Sequence, residues 1–78
     1  MYKDVKVKTK ISKKIGDSIK FYRKKNNISQ ESLAYNIGVD RTYISALEQG
    51  SKLASVYCLF LISKELNIEL KDLLDIKL

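Results

Sequence analysis

The chain has 78 residues, no proline, no histidine, a single cysteine and a formal net charge of +6. A chain this short holds one domain with a marginal core, because it buries only about 60% of its unfolded surface. Without histidine, Cys58 alone excludes an intramolecular disulfide and a Cys/His zinc site built from one chain, and no apolar run approaches the ~20 residues of a membrane span.

The absence of proline and the presence of only three glycines favour helices over a turn-rich sheet. Charge is distributed unevenly. Residues 1–25 carry ten Lys or Arg against Asp4 and Asp17, a net +8, and the remainder is −2. A basic N-terminal third on a near-neutral body suits a polyanion partner; the plainer reading is a solvated lysine-rich tail. The N-terminus lacks the apolar centre of a secretory signal, so a bacterial-type cytoplasmic protein is expected.

Met1–Lys10 alternates lysine with Asp4, Val5, Val7 and Thr9. A period of two admits a short strand, but nothing in the chain pairs with it. Residues 1–10 therefore read as a loose basic arm ahead of one domain at residues 11–78. Ser12 is a candidate cap for a first helix to about Lys25, with Ile11, Ile15, Ile19 and Tyr22 at helical spacing. Gly16 costs such a helix up to about 1 kcal/mol, and close packing is the reading offered for it. Asn26-Asn27 is a natural exit, since Asn tolerates left-handed geometry.

Ser29 then caps a second helix ending at Gly38, with Leu33, Ala34 and Ile37 as its buried stripe. Val39 fills the turn. Asp40 is the expected cap of a third helix, its carboxylate accepting from first-turn N–H groups, and Gly50 fits the left-handed residue after it. Ile44 and Leu47 give this helix one narrow apolar face, while Arg41, Thr42 and Tyr43 point outward from the first turn. Two short helices joined through Gly-Val-Asp fit a helix-turn-helix in length and turn chemistry.

Ser51–Ala54 reads as a loop, and Ser55 as the cap of a fourth helix to about Leu66. Val56, Leu59, Ile62 and Leu66 form its stripe, with Tyr57 and Phe60 beside it. Asn67 closes it. Ile68–Leu74 suggests a short fifth helix, followed by Ile76 and Leu78. This is more apolar surface than so short a helix buries on its own monomer. Dimerisation through Phe60, Ile68, Leu70, Leu73 and Leu74 would cover the surplus; the alternative is that all of it folds back on the core. No glycine-rich phosphate loop or nucleophile–base spacing is present, so no enzyme, cofactor, metal site or small-molecule ligand is expected. Cys58 reads as a small core hydrophobe.

The run Ile28-Ser29-Gln30-Glu31, Leu33-Ala34, Ile37-Gly38-Val39, Ile44-Ser45, Leu47-Glu48 and Gly50 resembles the Cro/C1-type (XRE) helix-turn-helix family, over roughly residues 12 to 74. Within it, Asp40-Arg41-Thr42-Tyr43-Ile44-Ser45, with Ala34-Tyr35 upstream, is most similar to the controller proteins of restriction–modification systems. The resemblance implies an all-α, five-helix, lambda-repressor-like DNA-binding domain with the helix-turn-helix at helices 2 and 3. It implies a homodimer on a roughly palindromic operator in double-stranded DNA, regulating its own gene and that of an endonuclease, with RNA polymerase as a further partner. An antitoxin-type or phage-repressor-type regulator acting partly through a protein partner is the alternative.

In such a module phosphate contacts set position and base contacts in the major groove give sequence preference. Gln30, at the N-terminus of the second helix, would donate to a phosphate. Arg41 is the strongest base reader, since guanidinium donates twice to guanine O6 and N7. Thr42 would meet a base or a thymine methyl. Tyr43 would meet a phosphate or lay its ring on a flexible pyrimidine–purine step. Ser45 is similar to a family position near backbone or base edges, and Ser51 and Lys52 would meet the next phosphate. Plainer readings stand beside these: Gln30 and Ser45 as exposed helix polars, Thr42 in capping, Tyr43 packed on a neighbouring helix, and Arg41 paired with Asp40 or Glu31. The resemblance also implies that Arg23 pairs with Glu48, tying the first helix to the third; the alternative is Arg23 on phosphate. Leu53 and Ala46 depart from the family pattern, where polar residues are frequent, and the N-terminal arm is longer and more basic.

Overall fold

A computed structural model of the protein describes residues 5–77, and five helices account for its regular structure. They are α1 (Val5–Lys25), α2 (Gln30–Ile37), α3 (Arg41–Gln49), α4 (Val56–Glu65) and α5 (Leu70–Leu73). Met1–Asp4 and Leu78 lie outside the described residues, and with them the start of the expected arm.

The chain breaks where its local chemistry asks it to. Ser29 accepts from the Ser32 N–H at 2.9 Å and Ser55 from the Cys58 N–H at 3.1 Å, so both cap as expected. Gly38 and Gly50 take left-handed φ values of 81° and 79° after α2 and α3. Asn27 and Asn67 do the same at 56° and 62°. The Asn26 amide donates to the carbonyls of Tyr22 and Leu66, at 2.7 and 3.0 Å, fastening the end of α1 to the end of α4.

Two expectations at the N-terminus are corrected. Residues 5–10 are not a loose arm but the opening turns of α1. Val7 and Ile11 sit four residues apart above Ile15, so the apolar alternation of this stretch also satisfies a helical period. Ser12 consequently lies inside the helix. It is buried, and its hydroxyl donates to the Lys8 carbonyl at 3.0 Å instead of capping.

The core is one cluster. Ile15 and Ile19 of α1 meet Leu33 of α2, Ile44 and Leu47 of α3, Leu59 and Ile62 of α4, Leu66 and Leu73. Val56, expected in the α4 stripe, is exposed, because the first turn of α4 overhangs the core. Leu73, expected at a dimer surface, is fully buried: α5 turns it onto the monomer's own core. Asp72 fixes that turn by accepting from the Glu69 N–H at 2.9 Å.

Gly16 has a concrete reason. A Cβ there would collide with the backbone carbonyl of Leu47 and lie 2.8 Å from that of Glu48. At Gly50 a Cβ would lie 2.8 Å from the Lys13 Cα. α1 therefore crosses the C-terminal half of α3 at backbone contact, and this crossing sets the attitude of α3 in the domain.

Candidate DNA interface

The helix-turn-helix is held from beneath by a buried ion pair. The Arg23 guanidinium donates from Nε to Glu48 Oε2 at 2.6 Å and from Nη2 to Oε1 at 3.0 Å. Its third link, from Nη1, goes to the Ile28 carbonyl at 2.8 Å, just ahead of α2. A bidentate guanidinium–carboxylate pair is directional, so it fixes α1, the α1–α2 turn and α3 together. Both side chains are buried, and among the described residues no buried side-chain polar atom lacks a partner. Arg23 also neutralises a carboxylate that would otherwise repel a phosphate.

The pair does not end at Glu48. Gln30 Nε2 donates to Glu48 Oε1 at 3.0 Å, and Arg41 Nη1 reaches Gln30 Oε1 at 3.4 Å. Both ends of the Gln30 amide are thus engaged within the protein, rather than extended toward a phosphate as expected. Gln30 and Arg41 are the first residues of α2 and α3, and the turn brings these two helix starts side by side. Arg41 itself stays exposed, as does Thr42 beside it. The Arg23–Glu48 pair is the one the family resemblance implies, whereas nothing local in the sequence signals the links from Gln30 to Glu48 and from Arg41 to Gln30.

Asp40 occupies the N-cap position, but its carboxylate makes no cap bond, contrary to expectation. Its backbone carbonyl accepts from the Tyr43 and Ile44 N–H groups and starts the helix on its own. Tyr43 is half-buried. Its ring lies under the Lys52 ammonium, 5.8 Å from the centroid, and it shares a hollow with the Cys58 thiol. Burial, then the neighbouring Cys58, pushes the Tyr43 hydroxyl above its ordinary value. Burial also pushes the Cys58 thiol up, partly offset by the Tyr43 hydroxyl. Cys58 is thus a neighbour of Tyr43 rather than only a core filler, a relation across α3 and α4 that spacing could not reveal. Tyr43, Lys52 and Cys58 line one shallow hollow with Val39, Asp40 and Thr42.

Ser45 accepts from Gln49 Nε2 at 3.2 Å, and the Ser51 hydroxyl donates to the Ala46 carbonyl at 3.2 Å. The structure thus gathers Gln30, Arg41, Thr42, Tyr43 and Lys52 along one edge, with Ser45 midway along α3 and Ser51 just past its end holding local bonds. Phe60 and Leu74 stand apart from this edge, 43% and 41% exposed, while Ile68 and Leu70 are half-buried. Phe60, Ile68 and Leu70 border a second hollow, where the Lys64 ammonium sits 5.5 Å from the Phe60 ring centroid.

Residues 19–73 match the helix-turn-helix family HTH_3. The chain belongs to this XRE-type family of DNA-binding transcription regulators. It is 47% identical over 51 residues to the control protein C.BamHI of Bacillus amyloliquefaciens, an alignment covering 65% of this chain and 63% of that protein's length. Its fold is similar to that of the restriction–modification controller protein C.AhdI of Aeromonas hydrophila, with a TM-score of 0.76 and 31% identity over 80% of this chain and 90% of that one. It is likewise similar to SinR, a master regulator for biofilm formation whose structure was determined in complex with DNA; the TM-score is 0.74 and the identity 35%, over 78% and 98% of the two chains. No described helix of this XRE-type domain is long and apolar enough to cross a membrane.

Proposed function

We propose that this XRE-type protein is a homodimeric, sequence-specific regulator of the restriction–modification controller kind, acting in the bacterial cytoplasm on its own promoter and that of an endonuclease gene. The observation that carries the reading is the placement of Arg41. It is exposed at the first position of α3, and Gln30, itself anchored on buried Glu48, holds it from the adjacent helix start. A guanidinium so oriented is suited to guanine O6 and N7, while Thr42 reads beside it. The positive end of α2 and Lys52 supply phosphate contacts on either side.

The dimer reading rests on the α4–α5 surface. Phe60 and Leu74 are large apolar side chains in water, next to half-buried Ile68 and Leu70. Pairing two copies through this patch would set two α3 helices on half-sites about 34 Å apart. The similarity to C.BamHI and C.AhdI supports the controller reading, and the similarity to SinR, whose structure is in complex with DNA, supports DNA as the partner. Selection from a random-sequence duplex library tests this. The protein should enrich a palindrome with guanine in each half-site, and Arg41→Ala should lose the preference for that guanine. Recovery of unrelated sequences by the native protein would overturn the reading.

A further inference from the structure

We propose that one flank of α1 is a second phosphate-gripping ridge, which holds the DNA backbone beyond the half-site read by α3. This inference rests on the DNA-binding reading above. Lys6, Lys13 and Lys20 recur every seven residues along α1, and Lys10 and Lys24 fall on the same flank at 3.6 residues per turn. The flank adjoins the side of α1 that meets α3: Gly16 approaches the α3 backbone, and Arg23 binds Glu48. On the other border of the ridge, Asp17 joins Lys14 and Ser18 around a hollow shared with Asp75 and Lys77, so beyond Asp17 the helix faces the C-terminal segment instead.

α1 spans the whole candidate DNA edge. At one end Arg23 connects through Glu48 to Gln30. At the other, Lys13 abuts Gly50, the residue before Ser51 and Lys52. From Lys13 the helix continues back to Val5, about 12 Å further at 1.5 Å per residue. This overhang, which carries Lys6 and Lys10, lies outside the stretch that matches the family, residues 19–73. From Lys6 to Lys20 the ridge runs about 21 Å, the axial length of about six base pairs. Among the described residues of the ridge the acid is Asp17, which pairs with Lys13 at 2.9 Å in an exposed i,i+4 bridge that a phosphate displaces at little cost. Lysines, as mobile point charges, suit backbone without sequence readout. The ridge therefore adds affinity and footprint length, not base preference.

The test uses the full chain and the duplex it enriches from the random library, prepared with and without about six flanking base pairs on each side. Affinity is measured against salt for the native protein, for Lys6→Gln/Lys10→Gln/Lys13→Gln, and for the charge-matched control Lys14→Gln/Lys71→Gln/Lys77→Gln. The native protein should show a steeper salt dependence on the flanked duplex, by about 0.9 in log–log slope for each extra phosphate contacted. The ridge variant should lose that difference and keep native behaviour on the trimmed duplex; the control should retain it. Glutamine preserves helix propensity, and circular dichroism checks that the fold is intact. A ridge variant with full flank dependence, or a native protein indifferent to the flanks, overturns the ridge and leaves the α3 reading standing. A library that yields no preferred duplex overturns both.

Discussion

The α2–α3 edge and the α4–α5 end of this small domain treat their exposed side chains in opposite ways. At α2–α3 the outward groups are polar and tied down from within: Arg41 to Gln30, Gln30 to Glu48, Glu48 to Arg23. At α4–α5 the outward groups include the apolar Phe60 and Leu74, and the hydrogen bonds there, from Asn26 to the Leu66 carbonyl and from the Glu69 N–H to Asp72, fix the helix ends beneath rather than the outward side chains. Polar side chains held in place suit a partner read by direction, as bases are. Loose apolar surface suits a partner recognised by area, such as a second copy. In one 78-residue chain the two demands are met on separate surfaces, with α1 bracing the first.

The comparison breaks most sharply at Glu48. Glu48→Ala leaves the Arg23 guanidinium buried without its counter-ion, and should cost about 3–5 kcal/mol in urea unfolding. A loss under about 1 kcal/mol would mean that the pair does not brace the module. Gly16→Ala should follow, at about 1–3 kcal/mol. Alanine is the better helix former by up to about 1 kcal/mol, so a stabilised variant would contradict the backbone contact between α1 and α3.

Arg41→Ala should leave stability unchanged within about 0.5 kcal/mol and cost about 1–3 kcal/mol of base discrimination per half-site. Competition binding between native and single-base-substituted duplexes measures it. Phe60→Glu should weaken self-association at least tenfold, or about 1.4 kcal/mol, read by sedimentation equilibrium. Unchanged association would remove the α4–α5 patch from the dimer.

The smallest effect is one of pH. The folded-state values of Tyr43 and Cys58 are both raised, so the folded chain holds these protons more tightly than the unfolded chain. Their contribution is complete below the ordinary thiol value of 9.0 and is lost as pH rises through the raised folded values. Urea midpoints between pH 8 and 11 should therefore fall, and fall less in Cys58→Ala.

What was legible in the sequence was local. Ser29, Gly38, Gly50 and Ser55 punctuate the chain through their own backbone chemistry, and the isoleucine spacing of α1 marks its buried face without tertiary knowledge. The first turns of α1 were not legible, because Val5 and Val7 fit a strand period while Val7 and Ile11 fit a helix period, and so short a run does not choose between them. Leu73 was not legible either: four helical residues can turn their apolar side in or out, and only packing decides. At the candidate site the residue types at the N-terminus of α3 could be listed, and the family resemblance implied the Arg23–Glu48 pair that the structure contains, but the further links were not legible. Gln30 meets Glu48 across 18 positions and Tyr43 meets Cys58 across 15, pairings that exist only once three helices are assembled.

The most direct test of a regulator built on Arg41 and paired α3 helices is a footprint on the DNA upstream of the protein's own gene, at low and at physiological salt. A protected, roughly palindromic site with half-sites one helical turn apart, surviving at the higher salt, is the predicted result. Uniform protection along the fragment that vanishes with salt would mean that the lysines bind DNA and α3 does not read it, which contradicts the proposal.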